Sequence, residues 1–204
     1  MIKPKEKKER SLGERLHIKG ERCNSPKCAA VRKPYRAGVH GPSGRRKSLS
    51  DFGRQLAEKQ KFKVSYGLKE RNLRHLFKIA KKATGSTATR LLALIEKRLD
   101  NTVFRFGFAP SRFAARQLIV QGHILVNRKR ARSPGLQVKT GDLISFREES
   151  KKTKAFKDLS DSLKKFETPA WLSIDKEKIE GRVLSEPETN PPFEINLLVE
   201  SFSK

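Results

Sequence analysis

The stretch from Ser111 to Phe146 concentrates the side chains best suited to holding an anion. Arg112 and Arg116 are four residues apart, a spacing that brings them together on one side of a helix, and Gln117 lies beside them. His123, Asn127 and Lys129 follow within a short apolar run and a basic turn. Guanidinium forks fit phosphate oxygens two at a time, while amides meet hydroxyls. Asp142 is the one acidic residue between 101 and 147. Such a set recognises a polyanion and performs no covalent chemistry. The sequence contains no Gly-x-Gly-x-x-Gly, no nucleophile elbow and no paired-histidine metal motif. Arg45-Arg46-Lys47-Ser48 looks like the end of a phosphate loop, but Arg46 stands where that loop needs glycine. Cys23 and Cys28 are the two cysteines, and structural zinc takes four Cys or His ligands.

Local patterning says what must position these groups. Ser111 is placed to cap a helix over Arg112–Gln121, and Gly122 supplies the left-handed residue that ends it. A strand over 123–127, the turn Arg128-Lys129-Arg130, a strand over 136–138, a turn at 139–142 and a strand over 143–146 follow. A helix on so small a sheet cannot bury both faces, so one face is expected to stay basic. Upstream, Ser50 or Asp51 can cap a helix through Phe52, Leu56 and Gln60. A second helix after Tyr66-Gly67 has Leu73, Leu76, Phe77 and Ala80 at i, i+3, i+4, i+7. Arg71, Arg74, Lys78, Lys81 and Lys82 fall largely off that stripe, and His75 sits beside it. A third helix holds Leu91, Leu92, Leu94, Ile95 and Leu99 and runs on toward Val103 and Phe104. These stripes read as core.

Charge separates the chain into regions. The formal net charge is +25, from 47 basic and 22 acidic residues. Residues 148–204 are nearly neutral, so the anionic partner belongs to the first three-quarters. Residues 1–50 are rich in Lys, Arg, Gly and Pro without a lasting period, and read as an extended basic arm that orders on RNA. No long apolar run or signal-type segment points to a membrane. Nucleic acid is the expected partner, in an intracellular setting.

The residues from Ser111 to Ile119 and from Gly122 to Lys129 resemble the small RNA-binding module named after small-subunit ribosomal protein S-four. That module also occurs in pseudouridine synthases, in a tyrosyl-tRNA synthetase tail and in small ribosome-associated stress proteins. The flanking sequence separates these. Leu56–Arg71 and Leu94–Ala109 resemble the stretches that precede the module in the ribosomal protein family. Lys19–Cys28 and Gly38–Gly41 resemble its basic N-terminal region, and Pro169–Asp175, Gly181–Leu184 and Leu197–Glu200 its closing segment. The 57 residues after Arg147 are too few for a synthase's catalytic domain, and the stress proteins lack the flanking segments.

The resemblance implies an α+β protein: a mostly helical domain from 51–100 with 168–204, and a module at 101–167 whose helices pack on a short curled antiparallel sheet. The near-neutral tail, with Trp171, Leu172 and Ile174, is expected to dock back on the helices. It implies a non-enzymatic component of the small ribosomal subunit that binds a multi-helix junction in the five-prime domain of small-subunit ribosomal RNA. It also implies nucleation of early assembly, and a position at the messenger RNA entrance beside small-subunit protein five. The RNA contacts it implies are Arg45, Arg46, Lys47, Lys59, Lys61, Arg71, Arg74, Ser111, Arg112, Arg116, Gln117, His123, Asn127 and Lys129. A folded junction offers phosphates and 2′-hydroxyls at fixed spacing while its deep groove hides the bases. Some family members hold zinc with four cysteines. This chain retains the last two as Cys23 and Cys28, but has Glu6 and Glu9 near the expected places of the first two, so the expectation is no cofactor. The absence of a transit-type leader favours bacterial cytoplasm over an organelle.

Overall fold

The computed structural model describes residues 6–43, 48–151, 159, 163, 166–188 and 193–203. The chain folds as two compact units, residues 1–92 with 190–204, and residues 93–189.

The first unit is helical. Residues 6–43 differ from the extended arm expected of them, because the segment contains α1 (Glu6–Leu12), α2 (Glu21–Asn24) and α3 (Ala29–Arg32). Apolar Ile18, Cys23 and Cys28 are buried in this stretch, whose helices are too short for a period to be read. Helix α4 (Asp51–Ser65) starts at Ser50, whose Oγ accepts from the Gly53 amide at 3.2 Å. Helix α5 (Glu70–Lys82) buries Leu73, Leu76, Phe77 and Ala80, the stripe its period announces. The C-terminal helix Ile195–Ser203 packs on α4, where Phe193 meets the Phe62 ring edge-on at 5.6 Å and Gln55 donates to Glu200 at 2.9 Å. The Phe202 ring stacks on Phe77 at 4.9 Å.

The apolar run after Gly85 is two helices, not one: α6 (Thr87–Glu96) and α7 (Leu99–Arg105). The chain breaks at Arg98, which is extended and bridges Gln137. The amides of Leu99 and Asp100 donate to the carbonyls of Leu136 and Pro134 at 2.8 and 3.1 Å. These long-range partners replace the helical ones that a continuous run would use.

The second unit builds on α7, on α8 (Arg112–Gln121) and on an antiparallel sheet in the order β2-β1-β3-β5-β4. The strands are β1 (Ile124–Val126), β2 (Lys129–Arg130), β3 (Leu143–Phe146), β4 (Leu172–Asp175) and β5 (Glu180–Val183). Residues 136–138 are not a strand; Gln137 makes the single bridge to Arg98. The largest difference from expectation lies in the tail. Residues 172–183 do not belong to the first, helical unit but form a hairpin in the second, whose β5 pairs with β3, Ile144 opposite Gly181. Its apolar residues pack against both the sheet and helices α7 and α8: Trp171, Leu172 and Val183 are buried with Val103, Phe106, Ile119 and Ile144. Gly181 is required there, because a Cβ would overlap the Phe106 ring.

Candidate nucleic-acid interface

In the first unit, burying the apolar stripe of α5 turns its opposite face outward. Arg71, Arg74, Lys78, Lys81 and Lys82 are all exposed, recurring every three or four residues. The sequence-based site includes Arg71 and Arg74 and omits the three lysines, although the same period carries them. Lys59 and Lys61 are held in ion pairs. Lys59 pairs with Glu70 at 2.9 Å and lies 4.3 Å from the Phe202 ring centre, and Lys61 is bound by Glu14 and Glu58. Burial disfavours the Lys61 ammonium, but the two carboxylates outweigh it and raise its pKa. Burial likewise raises the Glu70 carboxyl, yet hydrogen bonds and charge from Lys63 and Lys59 outweigh it and bring it down to about 2. Arg45, Arg46 and Lys47 lie outside the described residues.

In the second unit, α8 follows its sequence signals. Ser111 Oγ accepts from the Ala114 amide at 3.2 Å, and Gly122 closes the helix with φ +77°. Ser111 is buried and serves as the cap. Arg112 and Arg116 are partly buried and Gln117 is exposed. Arg112 Nε donates to Asn101 Oδ1 at 2.7 Å and its guanidinium lies 4.7 Å from the Phe104 ring centre. Arg116 lies 3.7 Å from Asp100, which Arg98 grips with two nitrogens at 3.1 and 2.7 Å.

Beyond α8 the strands β1 and β2 turn at Asn127 and Arg128, both with positive φ. That pair of left-handed residues is the tight hairpin geometry that matches strand twist. It presents Arg128 and Lys129 to solvent, and Arg132 and Lys139 are exposed as well. Arg128, Arg132 and Lys139 extend the sequence-based site; Arg128 was signalled by the basic turn it opens, the other two only by the scarcity of acids around them. The Asn127 amide donates to Asp142 at 2.8 Å and its carbonyl accepts from the Leu143 amide at 2.9 Å, so it fastens the turn. His123 Nδ1 is 2.9 Å from Ser150 Oγ. Arg130 donates to the carbonyls of Gly122 and Gln121, both at 3.1 Å, where it satisfies the end of α8.

Near Cys23 and Cys28 the acidic side chains Glu6 and Glu9 have partners of their own. The buried Glu9 accepts from the Leu16 and Ile18 amides, both at 3.1 Å, through Oε1. Glu6 pairs with Lys19 at 3.3 Å and Arg22 at 2.9 Å. Burial raises the Glu6 carboxyl, but those two cations outweigh it and hold it below its usual value. Burial pushes the Cys23 thiol up, which disfavours the thiolate that zinc requires. His17 and His40 are exposed, and no metal-holding cluster of His, Cys, Asp and Glu occurs among the described residues. Glu6 is drawn to two cations, and Glu9 uses one oxygen on backbone amides while its Oε2 is buried without a hydrogen-bond partner among the described residues. Two thiols with such carboxylates are not the four-cysteine set of a structural zinc.

Comparison with known proteins gives the family. Residues 1–96 match the family model of the ribosomal protein S4/S9 N-terminal domain, and residues 97–144 match the S4 domain. The chain belongs to the uS4 family of small ribosomal subunit proteins. It is 46% identical to small ribosomal subunit protein uS4A of Alkaliphilus oremlandii over 96% of this chain and 94% of that one. Identity to the uS4 protein of Halothermothrix orenii is 41%, and to the uS4A protein of Alkaliphilus metalliredigens 43%, with the same coverage. Membership in uS4 sets the chain among ribosomal proteins rather than enzymes. No helix among the described residues is long and apolar enough to cross a membrane.

Proposed function

We propose that this chain is a structural component of the small ribosomal subunit that binds its ribosomal RNA directly, at a multi-helix junction of the five-prime domain. One observation supports this most: each of its two units has a basic exposed face, the α5 stripe in one and the α8 and β1–β2 region in the other. A protein with two such faces suits a folded RNA that offers several backbones, and holding them together favours early assembly. The role beside small-subunit protein five at the messenger entrance draws support from a different feature. A groove between α4 and the C-terminal helix is lined by Asp51 and Glu58, which pair with Arg54 and Lys61 of the same groove, and by Glu194 and Glu200 with Leu49 and Leu197. The two acids beyond those pairs, Glu194 and Glu200, give the groove a mixed polar and apolar lining that suits a protein neighbour better than a phosphate backbone. The bacterial cytoplasm is the proposed setting, and Cys23 and Cys28 function as buried thiols without a metal.

Co-sedimentation with small subunits through a high-salt wash tests the reading. A chain that leaves the particle at moderate salt, while other core proteins stay, overturns it. Metal analysis of the purified protein is expected to find zinc far below one per chain; one equivalent removes the metal-free reading of the N-terminal lobe.

A further inference from the structure

Two buried networks sit directly behind the arginines of α8. In the first, Glu96, fully buried, is gripped by Arg105 through Nε at 2.9 Å and Nη2 at 2.8 Å. The Asn101 amide donates to the same carboxylate at 2.6 Å, and its carbonyl accepts from Arg112 Nε at 2.7 Å. Asn101 thus relays the orientation of a buried ion pair to a half-buried guanidinium. In the second, Asp100 is held by Arg98 on one side and faces Arg116 on the other. Both relays start at the first turn of α7, and that turn is itself anchored. The Asp100 amide donates to Pro134, the Leu99 amide to Leu136, and the Thr102 hydroxyl reaches the Glu96 and Arg98 carbonyls at 3.2 and 3.0 Å.

A hydrophobic core does not require this arrangement. Glu96 and Asp100 each already have an arginine bound through two nitrogens, so the ties to Arg112 and Arg116 are additional. A long arginine side chain loses substantial rotamer freedom when it is fixed on a ligand. Fixing it in the free protein removes that cost from the binding step. The Phe104 ring under the Arg112 guanidinium restrains it further.

We propose that Asn101 and Asp100 are positioning residues for RNA binding, pre-setting Arg112 and Arg116 on α8 before the RNA arrives. This rests on the RNA-binding reading of α8. The residues themselves are buried, at 2% and 4% exposure, so they act through the arginines and not by contact.

The test is a pair of double-mutant cycles on the full chain, with affinity for a small-subunit rRNA junction fragment measured across a salt series and thermal unfolding measured alongside. Asn101→Ala is expected to weaken binding about three- to tenfold, the scale of one rotamer-rich side chain left to be ordered on binding. On an Arg112→Ala background the same change is expected to have almost no further effect. Asp100→Asn, which keeps shape and an acceptor for Arg98, is expected to behave alike against Arg116→Ala, and decides the matter if Asn101→Ala does not fold. Losses that multiply in a folded pair of variants overturn the proposal and leave the RNA reading standing. A wild-type chain whose affinity ignores salt, or one indifferent to Arg112→Ala and Arg116→Ala, removes the RNA reading of α8 and this proposal together.

Discussion

Glu70 shows how one carboxylate decides which lysines face outward. It draws in Lys59 and Lys63, at 2.9 and 2.8 Å, and so removes them from the exposed basic set. Its pKa falls from 4.5 to about 2, so its contribution to stability is complete above the unfolded value and is lost as pH drops from 4.5 toward 2. Glu70→Gln is therefore expected to lower Tm at neutral pH and to flatten the fall in Tm on acidification, as followed by circular dichroism. An unchanged acid limb shows that other carboxylates dominate. Gly181 works by space instead of charge. Gly181→Ala places a methyl group in the Phe106 ring and is expected to cost about 1–3 kcal/mol in denaturant unfolding.

At the scale of elements, two helices begin with the same device and differ in what they carry. Ser50 caps α4 and Ser111 caps α8. Each replacement by Ala is expected to cost about 1 kcal/mol of stability. Ser111→Ala is also expected to weaken RNA binding, because α8 carries Arg112 and Arg116, whereas Ser50→Ala is expected to leave affinity unchanged at temperatures where both fold. Equal affinity for both variants counts against an RNA-facing α8. Helix α5 gives a cleaner electrostatic test, since Lys78 and Lys81 are exposed and away from its packed face. Lys78→Ala with Lys81→Ala is expected to reduce the slope of log affinity against log salt by up to about two, near one per lost phosphate contact. An unaltered slope places these lysines off the RNA.

Over the whole molecule, most of the helical frame was legible because its signals are local. The cap at Ser111, the left-handed Gly122 and the stripe Leu73–Leu76–Phe77–Ala80 each depend on neighbours within a turn or two. The candidate site was legible only in part, because a basic residue in sequence carries no record of its partner. Arg71, Gln117 and Lys129 are exposed and Arg74 is exposed while also 3.3 Å from Glu70, whereas Lys59, Lys61, Ser111, Asn127 and His123 are held by other side chains or serve as a cap. Arg112 and Arg116 combine both conditions, half-buried and tethered from behind.

The sequence by itself determined the partner class, the membership in a ribosomal protein family and the positions of α4, α5 and α8, since charge, motif and helical period are properties of the chain alone. Tertiary structure decided the rest. It broke the helix at Arg98, because the 134–137 segment supplies the backbone partners there. It moved residues 172–183 from the helices to the sheet, because the unpaired edge of β3 and the core around Phe106 accept a hairpin that local patterning does not announce. In residues 6–43 it buried Ile18, Cys23 and Cys28 and gave Glu6 and Glu9 cation and amide partners, contacts that come together only when the chain turns back on itself.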